Sequence, residues 1–102
     1  MSRLARLIAE TDEPIFTAEF PSLDGNGMEK ARRVAERFRG WFDAVNATDN
    51  PAAHAHASNV TTAIALQQLG LEPIMQVVCR DKNRLAIQAD IVGAAMFGVE
   101  NF

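Results

Sequence analysis

GLEPIMQVVCRDKNRLAIQADIVGAAMFGVENF, residues 70–102, holds most of what decides the fold. Gly70 punctuates the chain and Pro73 opens an apolar run over residues 74–79. The residue types and length of that run fit a strand. Arg80, Asp81, Lys82, Asn83 and Arg84 follow with no Gly or Pro among them. A helix is then expected over residues 82–97, with Leu85, Ala89, Val92 and Met96 as its apolar face and Gly98 after it. Residues 99–102 begin another strand.

The same alternation runs upstream. Ser2 is placed to cap a short helix carrying Leu4, Leu7 and Ile8, and Pro14 closes it. Residues 15–20 read as a strand. Asp24-Gly25-Asn26-Gly27 is a turn cluster, and Asn26 with Glu29 has capping-box spacing. Met28, Ala31, Ala35, Phe38 and Phe42 recur at helical spacing up to a stop at Gly40, and residues 41–46 form a second strand. Ser58 is a plausible N-cap for a helix whose apolar side carries Val60, Ala63, Ile64 and Leu69, with Gly70 ending it.

A β-α-β-α-β-α order with near-continuous apolar strands implies an α/β fold with a parallel sheet and right-handed crossovers. The strand starts lie roughly 25–30 residues apart, and eight such units make about 200–250 residues, the size of a (β/α)8 TIM barrel. Residues 1–102 are therefore expected to be a single partial domain, the first three βα units of such a barrel with a fourth strand starting; an open sheet of three or four strands is the alternative, though a doubly wound domain is usually longer. The glycines form neither a P-loop nor a GxGxxG fingerprint, so a dinucleotide-binding reading has no motif behind it.

The chain has 102 residues, 48% hydrophobic and 23% charged, with net charge −3. That balance suits one globular domain and argues against a nucleic-acid surface or a polybasic membrane anchor. The longest uncharged stretch, residues 50–71, is interrupted by His, Asn, Gln and Thr and does not read as a membrane span. No secretory pattern opens the chain, and the single Cys79 permits no intrachain disulfide, so a cytoplasmic address is the expectation. Cys79 itself reads as a small core residue.

Function in parallel α/β folds gathers at the carboxyl ends of the strands. Here those ends are polar: Glu19 with Ser22, then Asn46, Thr48, Asp49 and Asn50, then Arg80 and Asp81. Glu19 interrupts an apolar strand, where a carboxyl shielded from water serves as a proton donor; a structural ion pair with an arginine is its other reading. Thr48, Asp49 and Asn50 read equally as a turn before Pro51. Asp81 reads as the N-cap of the following helix with Arg80 as its partner, or as part of a site. His54 and His56 lack the Cys or carboxylate company of a metal centre, and no metal is expected.

Three stretches together resemble the N-terminal part of methylenetetrahydrofolate reductases: FTAEFPS (16–22), DAVNATDNP (43–51) and residues 70–102. The resemblance spans about residues 4–102, under half of a typical family member. It implies a TIM barrel binding FAD, with FMN as the alternative. It further implies reduction of 5,10-methylenetetrahydrofolate to 5-methyltetrahydrofolate in one-carbon and methionine metabolism, with NAD(P)H or another donor recharging the flavin. Glu19 matches the family's glutamate in Glu-x-x-Pro-Pro, which implies a general acid; Pro21-Ser22 stands where the family has Pro-Pro. Thr48 matches a flavin-contacting threonine, and Gln76 stands where many members have a histidine near the flavin. Asn46 joins this cofactor-facing set. Arg80 and Asp81 match an Arg-Asp-Arg-Asn form, which implies a place on the rim of the cofactor site. The family's Gly-Asp segment on the fourth strand lies beyond Phe102, so the 102 residues alone are expected neither to hold flavin tightly nor to turn over. Two other readings stand beside this one. One is a truncated, non-catalytic paralogue or split-barrel piece that works as a homo-oligomer or with a partner chain completing the barrel; the other is a small α/β binding module.

Overall fold

The computed structural model describes residues 1–25 and 27–102. Helix α1 spans Arg3–Glu10, strand β1 Thr17–Glu19, helix α2 Glu29–Phe38, strand β2 Ala44–Ala47, helix α3 Asn59–Gln68, strand β3 Pro73–Met75 and helix α4 Arg84–Met96. A single 3-10 turn covers Pro51–Ala53. Among the described residues no helix is long and apolar enough to cross a membrane.

The three strands pair in parallel in the order β1-β2-β3. An isolated parallel bridge joins Ile74 to Asn101, and the Met75 N–H donates to the Asn101 carbonyl at 2.9 Å. Residues 99–101 therefore add a fourth position beside β3. Each strand lies next to its successor, with no reversal of direction across the sheet. One half of a doubly wound sheet has this order, as does a stretch of a barrel. Right-handed crossovers in one constant direction place the crossover helices on one side.

The core agrees. Phe20, Val45, Ala47, Met75 and Val99 from the strands meet Ala35 of α2, Ala63 and Leu66 of α3 and Ala94 of α4 in one buried cluster. Alanine dominates the helical contribution because a short side chain lets the helix axis approach the sheet. Bulk comes mostly from the sheet side, with Phe20, Met75, Val45 and Val99 among the largest fully buried side chains, and from Leu66 of α3. Phe20 meets Phe38 edge-on, with ring centroids 5.5 Å apart at 63°.

Helix starts follow their caps. The Ser2 hydroxyl accepts from the Ala5 N–H, and Ser58 accepts from the Thr61 N–H. Gly40 and Gly70 sit at φ 81° and 79°, the left-handed geometry that ends α2 and α3. Two expectations about the helices change, and a third falls on a residue that is not described. Asn26, the expected capping-box residue, lies outside the described residues, and α2 starts at Glu29 behind Met28 with no side-chain cap. The N-cap of α4 is Asn83, whose Oδ1 accepts from the Ala86 N–H at 2.9 Å, and not Asp81. The expected apolar face of α4 points outward: Leu85 is 74% exposed, Val92 63% and Met96 79%, while Ala94 is buried and Ile91 packs on the core. Helix α4 is apolar on both sides, so spacing alone does not select the buried one.

The strands are shorter than the apolar runs. Phe16 precedes the ladder, its N–H held by the Asp43 carboxylate at 2.9 Å. Strand β3 opens at Pro73 itself and its ladder ends at Met75, well before Cys79, which is exposed and not the expected core residue. The amino ends of the strands are closed by α1. Ser2 donates to Asn101 Oδ1 at 2.6 Å, and Glu72 Oε1 accepts from the Leu4 N–H at 3.1 Å and from Asn101 Nδ2 at 3.0 Å.

Candidate functional site

The parallel register lines up Glu19 with Asn46, Asn46 with Ile74, and Ile74 with Asn101. In-register neighbours point to the same side of a sheet, and the next residue along each strand points to the other. Phe20, Ala47 and Met75 form the following row and are buried under the helices. The row containing Glu19 therefore faces the side that α2, α3 and α4 leave uncovered: Glu19 is exposed and Asn46 half-buried. The Gln76 N–H donates to the Ala47 carbonyl at 3.0 Å, a bond that closes the Ala47–Met75 pair and keeps Gln76 in line with β3. The same alternation puts Thr48 and Gln76, both half-buried, on the open side beside Glu19 and Asn46.

Four of the six residues singled out in the sequence thus share one surface at the carboxyl ends of neighbouring strands. Chemically it offers one carboxyl, one hydroxyl and two amides. Glu19 differs from expectation in one respect. It is exposed, not shielded within its strand, and none of the ion pairs among the described residues involves it.

Arg80 and Asp81 engage each other. Arg80 Nη2 lies 2.7 Å from Asp81 Oδ2 and Nε donates to the same oxygen at 2.8 Å, while Nη2 also reaches the Asn50 carbonyl at 3.4 Å. The hydrogen bond from Arg80 holds the Asp81 carboxyl below its usual range, and the reciprocal bond raises Arg80. Both side chains are about half exposed. The pair ties the end of β3 to the loop after β2, at the rim and not in the open row.

Beneath the rim lies a polar cluster that the sequence did not assemble, although Asp49 is among its polar strand ends. Asp49 is 5% exposed and Asn59 fully buried. Asp49 Oδ2 accepts from the Val78 N–H at 3.0 Å. Asn59 Nδ2 donates to the Gln76 carbonyl at 2.8 Å. Lys82 Nζ stands among them, 3.1 Å from Asn59 Oδ1, 2.9 Å from Asp90 Oδ2 and 3.7 Å from Asp49 Oδ2. Burial pulls the Lys82 ammonium down, but the hydrogen bond to Asp90 and the charges of Asp49 and Asp90 outweigh it and hold its pKa above the ordinary lysine value. One sequence signal existed. An Asn one residue inside a capped, apolar helix start is a polar group in need of a buried partner.

The loops after β1 and β2 are joined. The Ala57 N–H donates to the Leu23 carbonyl at 2.6 Å, and His56 Nδ1 lies 2.6 Å from Asp24 Oδ1. The His56 N–H donates to Asn50 Oδ1 at 3.0 Å. Between them Asn50, Ala52 and Ala53 hold left-handed φ of 45°, 57° and 59°, a strained run for residues other than glycine. His56 is thus spent on a carboxylate across the loops, and His54 stands exposed.

No protein-family model matches the chain, and no curated protein matches it.

Proposed function

We propose that the chain is the amino-terminal portion of a (β/α)8 flavin-dependent oxidoreductase of methylenetetrahydrofolate reductase type, with Glu19 as its proton donor. One observation carries this reading: Glu19 and Asn46 stand in register, with Thr48 and Gln76 two residues on from Asn46 and Ile74, on the side of the parallel β1-β2-β3 sheet that α2, α3 and α4 leave uncovered. A barrel requires strands in that order, and in a barrel the side left uncovered by the helices is the interior.

The residues present fit one side of a flavin site. The amides of Asn46 and Gln76 and the hydroxyl of Thr48 are hydrogen-bonding groups suited to a polar heterocycle. FAD, or FMN in its place, would supply hydride to the folate once reduced by NAD(P)H or another donor. Glu19 holds a proton for the folate nitrogen released as the methylene bridge opens. Gln76 orients its partners and carries no proton. Arg80 and Asp81 keep the rim in place and meet the cofactor only at its edge.

The test has two arms. Addition of FAD to the 102-residue chain, followed amide by amide in nuclear magnetic resonance spectra, moves residues near Asn46, Thr48 and Gln76; shifts confined to other surfaces count against the reading. In a flavin-loaded protein containing this sequence, Glu19→Gln abolishes folate reduction and leaves flavin reduction by the donor intact. Survival of both activities removes Glu19 from its role.

A second reading, a barrel piece that works only with a partner chain, draws on the two flanks of the sheet. Beside β1, Phe16 and Trp41 are 60% and 77% exposed and border, with Phe42 and Arg37, an open hollow of about 540 Å³. Beside β3, α4 shows Leu85, Val92 and Met96. Sedimentation of the chain across a concentration range separates the two: a monomer at all concentrations disfavours self-assembly.

A further inference from the structure

The ladder of β3 stops at Met75, yet the next residues stay in line. What holds them is largely not backbone. The Gln76 carbonyl takes the Asn59 side-chain N–H, and the Val78 N–H is taken by Asp49. Both anchors are buried, and both rest on one ammonium, since Lys82 Nζ meets Asn59 Oδ1 directly and faces Asp49 Oδ2. The same ammonium is bonded to Asp90 of α4. Without it, Asp49 would be a buried carboxylate with Asp90 as a like-charged neighbour and only Arg80, which is beyond ion-pair distance and half exposed, as a countercharge, an arrangement that burial penalises.

We propose that Lys82 is a positioning residue for the cofactor-facing row. Through Asn59 it fixes Gln76, and through Asp49 it fixes the end of β2 next to Thr48. The assignment of that row to a cofactor rests on the reading above; the mechanical role of Lys82 does not. The cation joins four segments, the β2 rim loop, the start of α3, the end of β3 and α4, at the point where the ladder stops. It therefore does for the Gln76 carbonyl and the Val78 N–H what a neighbouring strand does for the residues before them.

Amide hydrogen exchange on the 102-residue chain tests the role. In Lys82→Met the Val78 amide exchanges at least about tenfold faster than in the unsubstituted chain, while protected amides in the middle of α3 stay within about threefold. Lys82→Arg, which keeps the charge, restores Val78 protection. Adding Asp49→Asn to Lys82→Met also restores it, because the acceptor stays and the uncompensated charge goes. Unchanged Val78 exchange in Lys82→Met overturns the proposal, as does failure of both rescues. If Lys82→Met does not fold, Lys82→Gln is measured in its place and read by the same criteria. The second readout is addition of FAD: the Gln76 shift is lost in Lys82→Met and regained in Lys82→Arg. If FAD moves no amide in the unsubstituted chain, exchange alone decides Lys82.

Discussion

Replacing two adjacent residues, Glu19 and Phe20, tests the face assignment on which the site depends. Phe20 is 2% exposed and packs edge-on against Phe38 at 5.5 Å. Removing a buried phenyl ring costs about 3–5 kcal/mol, of which roughly 0.5–1.5 kcal/mol belongs to the aromatic pair. A domain of this size has about 5–15 kcal/mol in all, so Phe20→Ala consumes a large share. At about 4–8 °C per kcal/mol the midpoint falls by at least about 12 °C. Glu19→Ala removes an exposed side chain that takes part in no ion pair among the described residues, and stability stays within about 0.5 kcal/mol. Urea unfolding followed by far-ultraviolet circular dichroism measures both on one scale. Trp41 is 77% exposed and is the poorer reporter. An equal m-value for the two variants shows that both report native stability. If Glu19→Ala costs as much as Phe20→Ala, the register is off by one residue and every face assigned to β1 is reversed.

Asn83→Ala removes the cap of α4 and lowers stability by about 1 kcal/mol, whereas Asp81→Ala leaves the helix intact; equal losses by thermal melting would return the cap to Asp81. Ala52→Gly relieves a left-handed residue at φ 57° and ψ 22° and stabilises by up to about 1 kcal/mol, where glycine in place of alanine ordinarily destabilises; a lower melting midpoint contradicts the loop geometry. Lys82 has a folded pKa raised above the unfolded value of 10.5, so its contribution is complete below that pH and is lost as pH rises through the folded pKa. Unfolding free energy followed against pH therefore falls more steeply on the alkaline side for the unsubstituted chain than for Lys82→Met, and parallel curves refute the pairing. Met96→Lys and Leu85→Lys, on the outward side of α4, leave the melting midpoint unchanged; a large loss in either places that side in the core.

Much of the framework is local chemistry, and local chemistry is readable. Ser2 and Ser58 cap the helices they precede because a hydroxyl two or three residues ahead of free N–H groups needs no distant partner. Gly40 and Gly70 end theirs because only glycine enters that geometry at little cost. Apolar runs spaced by one helix each gave the parallel sheet, since strands of that kind bury both faces or nearly so. Strand ends were overread. Ile15, Phe16, Val77 and Val78 have the residue types of a strand but lie beyond the ladders, because a ladder needs a partner in register and residue type supplies none.

Polar side chains divide the same way. The period of two placed Glu19, Asn46, Thr48 and Gln76 on one side as soon as the register was known. The exposure of Glu19 was not legible, because it depends on which side the helices cover. Asn59, Lys82, Asp49 and Asp90 were not assembled from the sequence, because they come from four separate segments. Asp49 and Val78 are 29 positions apart, and Lys82 and Asn59 are 23 apart. The sequence by itself determined the order of elements, their caps and the strand period. Tertiary structure alone decided that the strands lie in unbroken order, that α4 turns Ala94 inward and Leu85, Val92 and Met96 outward, and that one ammonium holds the rim. Each of those outcomes depends on contacts between distant segments, which exist only after the chain has closed on itself.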